Sequence, residues 1–438
     1  MSLIDLAAQD ERPWIKVGDC YAITRKPRGL DLGSSPAIPF VAMESVPQDG
    51  SYDPAVVLKA RETIASGTYF ERGDVLVAKI TPSFENGKQA LVRSLPQTFG
   101  YATTEVIPLR PLDRQHDPRL LFFYLLHPDV RHHVAERMEG STGRQRVPEE
   151  VLLNLPMPAI PLKDQTRLAD ALELVQAAVA AENNCARTTR DLKLGTMREL
   201  FKRGIRGEVQ KETDLGPLPA SWNVVRFSEI REWLQYGTSV QCTLEEKRYP
   251  VLRIPNVEPG RVNALELKYC NLSDDKASKY VLYDGDLLFI RTNGVLERLG
   301  SCAVYSGEPS SALFASYLIR ARLKQNANPR YVAYFYASPL GTSLVAGRAT
   351  PAADGKYNLN TGTIDSLPLP LPTTIEEQHD IVTILRALDS KIALHHRKRE
   401  VLEELFKSLL HKLMTGEIGV DDLDLSSLPA TQKPEVAA

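Results

Sequence analysis

Residues 367–418 read LPLPLPTTIEEQHDIVTILRALDSKIALHHRKREVLEELFKSLLHKLMTGEI, and this stretch decides the fold of the chain. After the prolines, one set of residues recurs in alternating steps of four and three, which is the seam of a heptad repeat. The predicted seam consists of Ile381, Leu385, Leu388, Ile392, His395, Arg399, Leu402, Phe406, Leu409 and Leu413. A helix with so narrow an apolar stripe needs a partner helix beside it.

The partner is predicted within the same chain, in residues 155–208. They read LPMPAIPLKDQTRLADALELVQAAVAAENNCARTTRDLKLGTMRELFKRGIRGE, again with prolines, a glutamine, a long helix and a Gly-Glu end. The predicted seam consists of Leu168, Leu172, Val175, Val179, Glu182, Ala186, Arg190, Lys193, Met197 and Leu200. One extra step of four is a stutter, which keeps the pattern on one face. Both seams turn polar in the middle, a device that often fixes register.

Composition and charge limit the possible classes of protein. A chain of 438 residues with 43% apolar content can form two or three domains. Five widely spread cysteines without a CxxC pair indicate neither a disulfide framework nor a zinc site. We find no signal sequence and no apolar run of membrane length, which predicts a cytoplasmic protein without a membrane partner. With a net charge of −2, any DNA-binding face requires a local arrangement of Lys and Arg.

The sequence repeats itself at a separation of about 212 residues. WNVV at 222–225 corresponds to WIKV at 14–17, and DGDLLFIR at 284–291 corresponds to RGDVLVAK at 72–79. Further along, DGKYN at 354–358 aligns with TGRQR at 142–146. Short β-branched runs between Gly, Pro and Asp are typical of strands in a mixed domain. The repeat therefore predicts two similar domains.

We predict an α+β fold: two similar mixed α/β domains separated by two long helices that form an antiparallel coiled coil, with a pseudo-two-fold internal repeat. The predicted boundaries are 1–161 for the first domain, 162–208 for the central helix, 209–372 for the second domain, 373–418 for the C-terminal helix and 419–438 for a flexible acidic tail. Helices of about 40 residues are roughly 60 Å long. Duplex DNA has two-fold symmetry too, so two different domains held apart by a rigid spacer would suit two different half-sites.

Basic and amide side chains in Gly-containing segments of both repeats are the candidate DNA contacts. They are Lys79, Lys88, Arg144, Arg146, Arg291, Asn293, Arg298, Arg348 and Lys356. Such side chains can reach phosphates or guanine edges, although most cations in loops are merely solvated. Lys79 is equivalent to Arg291 in the repeat, and Arg144 to Lys356. Trp14 and Trp222 are more simply interpreted as core residues than as base-stacking groups.

Several of these segments together resemble the specificity subunits of Type I restriction-modification enzymes. The resemblance rests on GDVLVAKITP at 73–82, ENGK at 85–88, GPLPASW at 216–222, LP at 369–370 with EEQ at 376–378, and LFKSLLHKLMTGE at 405–417. It implies two target-recognition domains that bind the halves of an asymmetric bipartite site in double-stranded DNA. It also implies that two methylation subunits dock on the family's conserved spacer helices and that motor-nuclease (restriction) subunits join them. The chain departs from the family where GPLP is missing before Trp14 and where KDQ at 163–165 replaces EEQ.

No motif for catalysis is present in the sequence. We find no Gly-rich cofactor loop after a strand, no methyltransferase tetrapeptide, no GxxxxGK[ST] loop and no HExxH or Cys-His cluster. We therefore predict no catalytic, cofactor-binding or metal-binding residues, with S-adenosylmethionine and ATP with magnesium bound only by partner subunits. Two alternatives remain, a coiled-coil scaffold that does not bind DNA and a specificity subunit of a methylation-only complex.

Overall fold

The computed structural model describes residues 2–7, 12–30, 36–64, 66–141 and 143–424. It divides into two compact units, Met1–Asn184 with His396–Ala438, and Cys185–His395. Thr142 in the predicted basic turn, and residues 425–438 of the predicted tail, lie outside the described residues. No helix in the described ranges is long and apolar enough to cross a lipid bilayer.

The first unit combines short helices with antiparallel sheets. Its strands are β1 (Trp14–Lys16), β2 (Tyr21–Ile23), β3 (Ala37–Val41), β4 (Val57–Ala60), β5 (Thr68–Glu71), β6 (Val75–Ala78), β7 (Gln89–Leu91), β8 (Phe99–Ala102), β9 (Val106–Pro111) and β10 (Pro156–Pro158). Its helices are α1 (Leu3–Leu6), α2 (Val17–Cys20), α3 (Pro118–Leu126), α4 (Pro128–Ala135), α5 (Glu149–Leu153) and the first half of α6 (Leu162–Arg203). The described strands form sheets in the orders β2-β9-β6-β7, β4-β3-β8-β5 and β1-β10.

The core of the first unit joins its domain to both long helices. Leu120–Leu125 of α3 are buried, and Asp117 caps this helix by accepting the backbone N–H of Arg119. Leu168 and Leu172 of α6 lie in the same core as Leu409, Leu410, Leu413 and Met414, close to the C-terminus of the last helix. Because the beginning of one helix packs with the end of the other, the two run antiparallel in this unit.

The second unit repeats this architecture. Its strands are β11 (Gln210–Lys211), β12 (Leu218–Pro219), β13 (Asn223–Arg226), β14 (Arg231–Tyr236), β15 (Tyr249–Leu252), β16 (Val257–Glu258), β17 (Gly260–Val262), β18 (Lys268–Cys270), β19 (Leu287–Ile290), β20 (Thr292–Asn293), β21 (Cys302–Val304), β22 (Leu313–Phe314), β23 (Leu318–Leu323), β24 (Thr350–Pro351), β25 (Tyr357–Asn358) and β26 (Pro368–Leu371). Its helices are α7 (Phe227–Ile230), α8 (Asp274–Ala277), α9 (Pro329–Ala337), α10 (Pro339–Ala346), α11 (Thr361–Asp365) and the first half of α12 (Ile375–Thr415). Short 3-10 turns lie at Ile254–Asn256 and Leu296–Arg298 in this unit, and at Met43–Ser45, Arg61–Thr63 and Val420–Asp422 in the first unit.

The largest described sheet of this unit has the order β14-β23-β19-β21-β17-β16, and smaller ones are β18-β15-β22 and β20-β25-β24. Met197 and Phe201 of α6 share a core with Ile381 and Leu385 of α12, so the helices are again antiparallel within the unit. The predicted fold class, two similar mixed α/β domains with two long helices, is confirmed.

The repeat extends to buried polar side chains. Asp74 and Asp286, each 1% exposed, follow the same turn and bind Arg110 and Arg322 respectively. Near the starts of α6 and α12, Gln165 accepts the backbone N–H of Asp117 and Gln378 accepts that of Asn328, both at 2.8 Å. Both units thus use the same buried hydrogen bonds to fix this turn and the start of the long helix.

The seam of α6 differs from the prediction at one position. Thr189 is buried at 6% exposure, whereas Arg190, predicted in the seam, is exposed. The seam steps from the buried Ala186 to the buried Thr189 and then to the half-buried Lys193 and the buried Met197. The additional step of four therefore lies between Lys193 and Met197, one heptad later than expected. Of the other predicted seam residues, Ile381, Leu385 and Leu409 are buried, and Val179, Leu388, Ile392, Leu402 and Phe406 are half-buried.

The beginning of the predicted tail packs on the first unit. Val420 and Leu423 contact its core, and Arg167 bonds to Asp421. These contacts tie residues 419–424 to the folded unit.

Candidate nucleic-acid interface

In the first unit, the segment from Lys79 to Thr81 lies beside the segment from Gln145 to Val147. The Lys79 N–H donates to the carbonyl of Glu105 at 2.9 Å, and the Val147 N–H donates to the carbonyl of Lys79 at 2.8 Å. Ile80 forms an antiparallel bridge with Arg146. The fold therefore brings together two segments that the sequence singled out about 65 residues apart.

The second unit has the same backbone pairing. The Arg291 N–H donates to the carbonyl of Tyr317 at 3.1 Å, and the carbonyl of Arg291 accepts the Leu359 N–H at 2.7 Å. Thr292 pairs with Asn358, and Asn293 pairs with Tyr357. Lys79 and Arg291, which the sequence repeat aligns, thus make equivalent backbone hydrogen bonds in the two units.

The candidate side chains of the first unit differ in their availability. Lys88 donates from Nζ to the carbonyl of Met43 at 2.9 Å, which commits this ammonium group to an internal bond. Arg146 is 64% exposed and donates from Nη2 to Glu105 Oε1 at 3.0 Å. Arg144 is exposed, and Lys79 is half-buried. Arg144 and Arg146 are therefore the most accessible cations of this set.

In the second unit, Arg291 is held by its surroundings. Its guanidinium lies 4.8 Å from the ring centre of Tyr236, and Nη1 donates to the carbonyl of Ser316 at 3.4 Å. Asn293 Oδ1 accepts the Val295 N–H at 2.9 Å, which closes the turn after β20. Tyr236 and Ser316 therefore order the side chain of Arg291, and the turn after β20 orders that of Asn293.

The remaining three candidates of the second unit are exposed. Lys356 pairs with Asp354 at 2.7 Å, and Arg348 donates to the carbonyl of Leu344 at 3.1 Å. Arg298 lies in an exposed 3-10 turn. Cations with such weak internal bonding are available to phosphates.

Sequence reasoning missed two tyrosines beside Arg291. Tyr236 and Tyr317 are 37% and 59% exposed, and both lie at or next to strand ends. An exposed aromatic ring next to guanidinium groups is typical of a binding surface. The sequence offered little signal for them, because tyrosine in a strand is equally typical of a core. Trp222, in contrast, is fully buried, as the simpler interpretation of it required.

Apart from this surface, His127, Asp129 and His411 form a group of possible metal ligands in the first unit. The N–H of Asp129 donates to His127 Nδ1 at 3.2 Å, which places the proton of this imidazole on Nε2. That nitrogen lies 3.1 Å from His411 Nδ1. A histidine bound to metal through one nitrogen usually donates a hydrogen bond from the other, which here is an acceptor. The geometry therefore fits a hydrogen bond between the two imidazole rings better than a metal site.

We expect His127 to make stability depend on pH. Burial is the main cause that lowers the pKa of His127 from 6.5 to about 4. The unfolded chain therefore binds a proton below pH 6.5 that the folded chain binds only near pH 4, so stability falls as pH decreases through this window. The loss should reach roughly 2 kcal/mol by pH 5. Thermal unfolding of wild type and His127→Gln between pH 5 and 7.5 measures it.

The variant should lose less stability on acidification than the wild type does. His132→Gln removes a 75% exposed imidazole from α4, the helix that follows His127, and should keep the wild-type pH profile. Parallel profiles for wild type and His127→Gln would contradict the assignment.

Comparison with known proteins agrees with this architecture. The family model described as Type I restriction modification DNA specificity domain matches residues 219–404. The chain is 27% identical to the putative type I restriction enzyme MjaX specificity subunit of Methanocaldococcus jannaschii, over 47% of this chain and 48% of that protein. It is 26% identical to the EcoKI specificity subunit of Escherichia coli strain K12, over 61% and 58% of the two chains. The chain thus spans about half the length of these two relatives.

A longer match is with the EcoEI specificity subunit of Escherichia coli, 24% identical over 86% of this chain and 79% of that protein. Two solved structures share the fold. One, from work on complex assembly and conformational transition of the type I R-M system, has a TM-score of 0.59 and 18% identity over 93% of this chain and 98% of its own. The other, the Type-I restriction-modification system S subunit from M. genitalium, has a TM-score of 0.51 and 14% identity over 92% and 97%.

The EcoEI match covers 86% of this chain and so involves both of its halves, and the relatives named above are all specificity subunits. Residues 219–404 match the model of the Type I restriction modification DNA specificity domain family, and the resemblance of the chain to Type I specificity subunits is confirmed.

Proposed function

We propose that this chain is the sequence-specific DNA-recognition subunit of a Type I restriction-modification complex. Each unit binds one half of an asymmetric bipartite site in double-stranded DNA. The observation that carries the proposal is the duplicated pairing of Lys79 and Arg291 with a second basic segment, in which the backbone is the same and the surrounding side chains differ. Two domains that share a backbone arrangement but carry different side chains are suited to recognising two different DNA sequences.

Two kinds of contact share the work in this proposal. The exposed cations Arg144, Arg298 and Arg348 bind phosphates, which gives an affinity that falls as salt rises. Side chains held by internal bonds, such as Arg146 and Arg291, read base edges in the major groove, because a fixed donor discriminates better than a mobile one.

The chemistry is proposed to belong to partner subunits. Leu192, Leu394 and Val401 on the two long helices are 57%, 44% and 68% exposed, which leaves apolar surface for methylation subunits. Those subunits bind S-adenosylmethionine and flip the target base, and motor-nuclease subunits add ATP with magnesium. On this proposal the chain itself has no catalytic residue, and it acts in the cytoplasm.

Exchange of the first domain tests the proposal. We expect co-expression of the full chain with the methylation subunit of its own organism to produce methylation at a bipartite motif, detected by single-molecule methylation sequencing. Replacing residues 1–161 with the corresponding domain of another specificity subunit should change one half of the motif only. A change in both halves would contradict independent readers, and a scaffold that does not bind DNA would give no motif.

A further inference from the structure

Glu105 and Tyr317 occupy the same place in the two units but differ in chemistry. Each precedes a strand, β9 or β23, and the carbonyl of each accepts the N–H of the candidate cation, Lys79 or Arg291. One position thus carries a carboxylate in the first unit and a phenol in the second.

In the first unit the carboxylate fixes an arginine. Glu105 Oε1 accepts from Arg146 Nη2 at 3.0 Å, and the two side chains are 24% and 64% exposed. Glu105 Oε2 is buried and has no hydrogen-bond partner among the described residues, so Arg146 is the group that the carboxylate side chain engages. The backbone of Arg146 is also fixed, because its N–H and carbonyl both bond to Glu139, at 2.8 and 2.9 Å. Paired at its backbone and bonded through one guanidinium nitrogen to Glu105, the Arg146 side chain has a preferred direction while most of it stays open to solvent.

The second unit lacks this pair. The residue beside Thr292, where the first unit has Arg146, is Asn358, and Tyr317 is 59% exposed in place of Glu105. The ring of Tyr236 lies against Arg291 close by. This surface presents aromatic rings and a shielded guanidinium, which favours apolar contacts such as one with a thymine methyl group.

Building on the proposed function, we propose that Arg146, positioned by Glu105, reads the guanine of a G·C pair in the half-site bound by the first unit. Arg146 donates from its exposed guanidinium nitrogens to guanine O6 and N7, the commonest specific contact of arginine with DNA. Glu105 is a positioning residue, which restrains the guanidinium and so limits its contact with other bases. Tyr317 determines a different preference at the equivalent place in the other half-site.

The test compares variants of the full chain, each co-expressed with the methylation subunit of its own organism. Arg146→Gln should lower the preference for one G·C pair in one half of the motif by roughly 5- to 150-fold, read as the relative methylation of sites with each base there. Glu105→Ala should relax the same base pair while Glu105→Gln, which keeps an acceptor, largely restores it. Tyr317→Ala should alter the other half only.

Arg144→Gln is the contrasting variant, because Arg144 is exposed only two residues away. It should weaken DNA binding equally for all sequences and leave the motif unchanged. An unchanged motif for Arg146→Gln, or a base change caused by Arg144→Gln instead, would overturn the assignment and leave the proposed function standing. Absence of any bipartite motif for the wild type would overturn both.

Discussion

Replacing Asp286 by alanine is expected to lower the free energy of unfolding of the second unit by about 3–5 kcal/mol. Its carboxylate accepts from Arg322 Nε at 2.8 Å and Nη2 at 2.9 Å, and from the Tyr283 N–H at 2.9 Å. A second guanidinium, that of Arg320, lies 3.7 Å away and is 5% exposed. Burial lowers the pKa of Arg320 to about 10, which indicates how poorly this site solvates a cation. Removing the carboxylate leaves that buried charge uncompensated.

Urea unfolding followed by tryptophan fluorescence measures this loss, because Trp233 lies 4.2 Å from the guanidinium of Arg320 and 4.9 Å from that of Arg322. Asp286→Asn keeps the size and one acceptor and should cost less than alanine. Asp354→Ala breaks an ion pair of similar length with Lys356 that is exposed on both sides, and it should leave the unfolding midpoint nearly unchanged. Equal losses for Asp286→Ala and Asp354→Ala would contradict the assigned role of burial.

Deleting residues 194–197 from α6 is expected to change the spacing between the two half-sites while both half-sites stay the same. The deletion shortens the helix by four residues, about 6 Å, and rotates the C-terminal remainder of the helix by about 40°. It also removes the additional step of four between Lys193 and Met197, so the remaining seam keeps its phase. If the long helices act as the rigid spacer predicted from the sequence, the motif should lose about one or two base pairs between its half-sites.

Methylation sequencing of the deletion variant, again co-expressed with the methylation subunit, gives the spacing directly. The double substitution Leu194→Ala with Thr196→Ala changes the same segment without changing its length, and it should retain the wild-type spacer. An unaltered spacer in the deletion variant would show that the helices do not set the distance.

The sequence predicted the fold more fully than the site. Heptad seams and a repeat of about 212 residues are patterns over many residues, so they can be recognised even where a single residue does not fit them. Arg190 is such a deviation, because the additional step of four can be placed in either of two successive heptads when the residues between them are polar. Only packing showed that Thr189 takes the buried place.

The site depended on contacts that no spacing reveals. Lys88 lies in a segment typical of the family, yet its ammonium group bonds to the carbonyl of Met43, 45 residues earlier in the chain. Glu105 was overlooked because a lone glutamate before a strand is ordinary, and its meaning depends on Arg146. Tyr317 could be recognised as a candidate only from the structure, in which it is exposed and lies beside Arg291.

The two buried glutamines have a consequence for how such chains diversify. Gln165 bonds to the backbone of Asp117, Gln115 and Ile160, and Gln378 bonds to the backbone of Asn328, Asn326 and Pro372. All of these hydrogen bonds are made to backbone atoms. They therefore depend on the path of the loop and not on the side chains of the residues to which the glutamines bond. If the chain has the proposed function, a foreign domain whose loop follows the same path keeps these backbone hydrogen bonds, so recombination can create new DNA specificities while the junction between domain and helix stays the same.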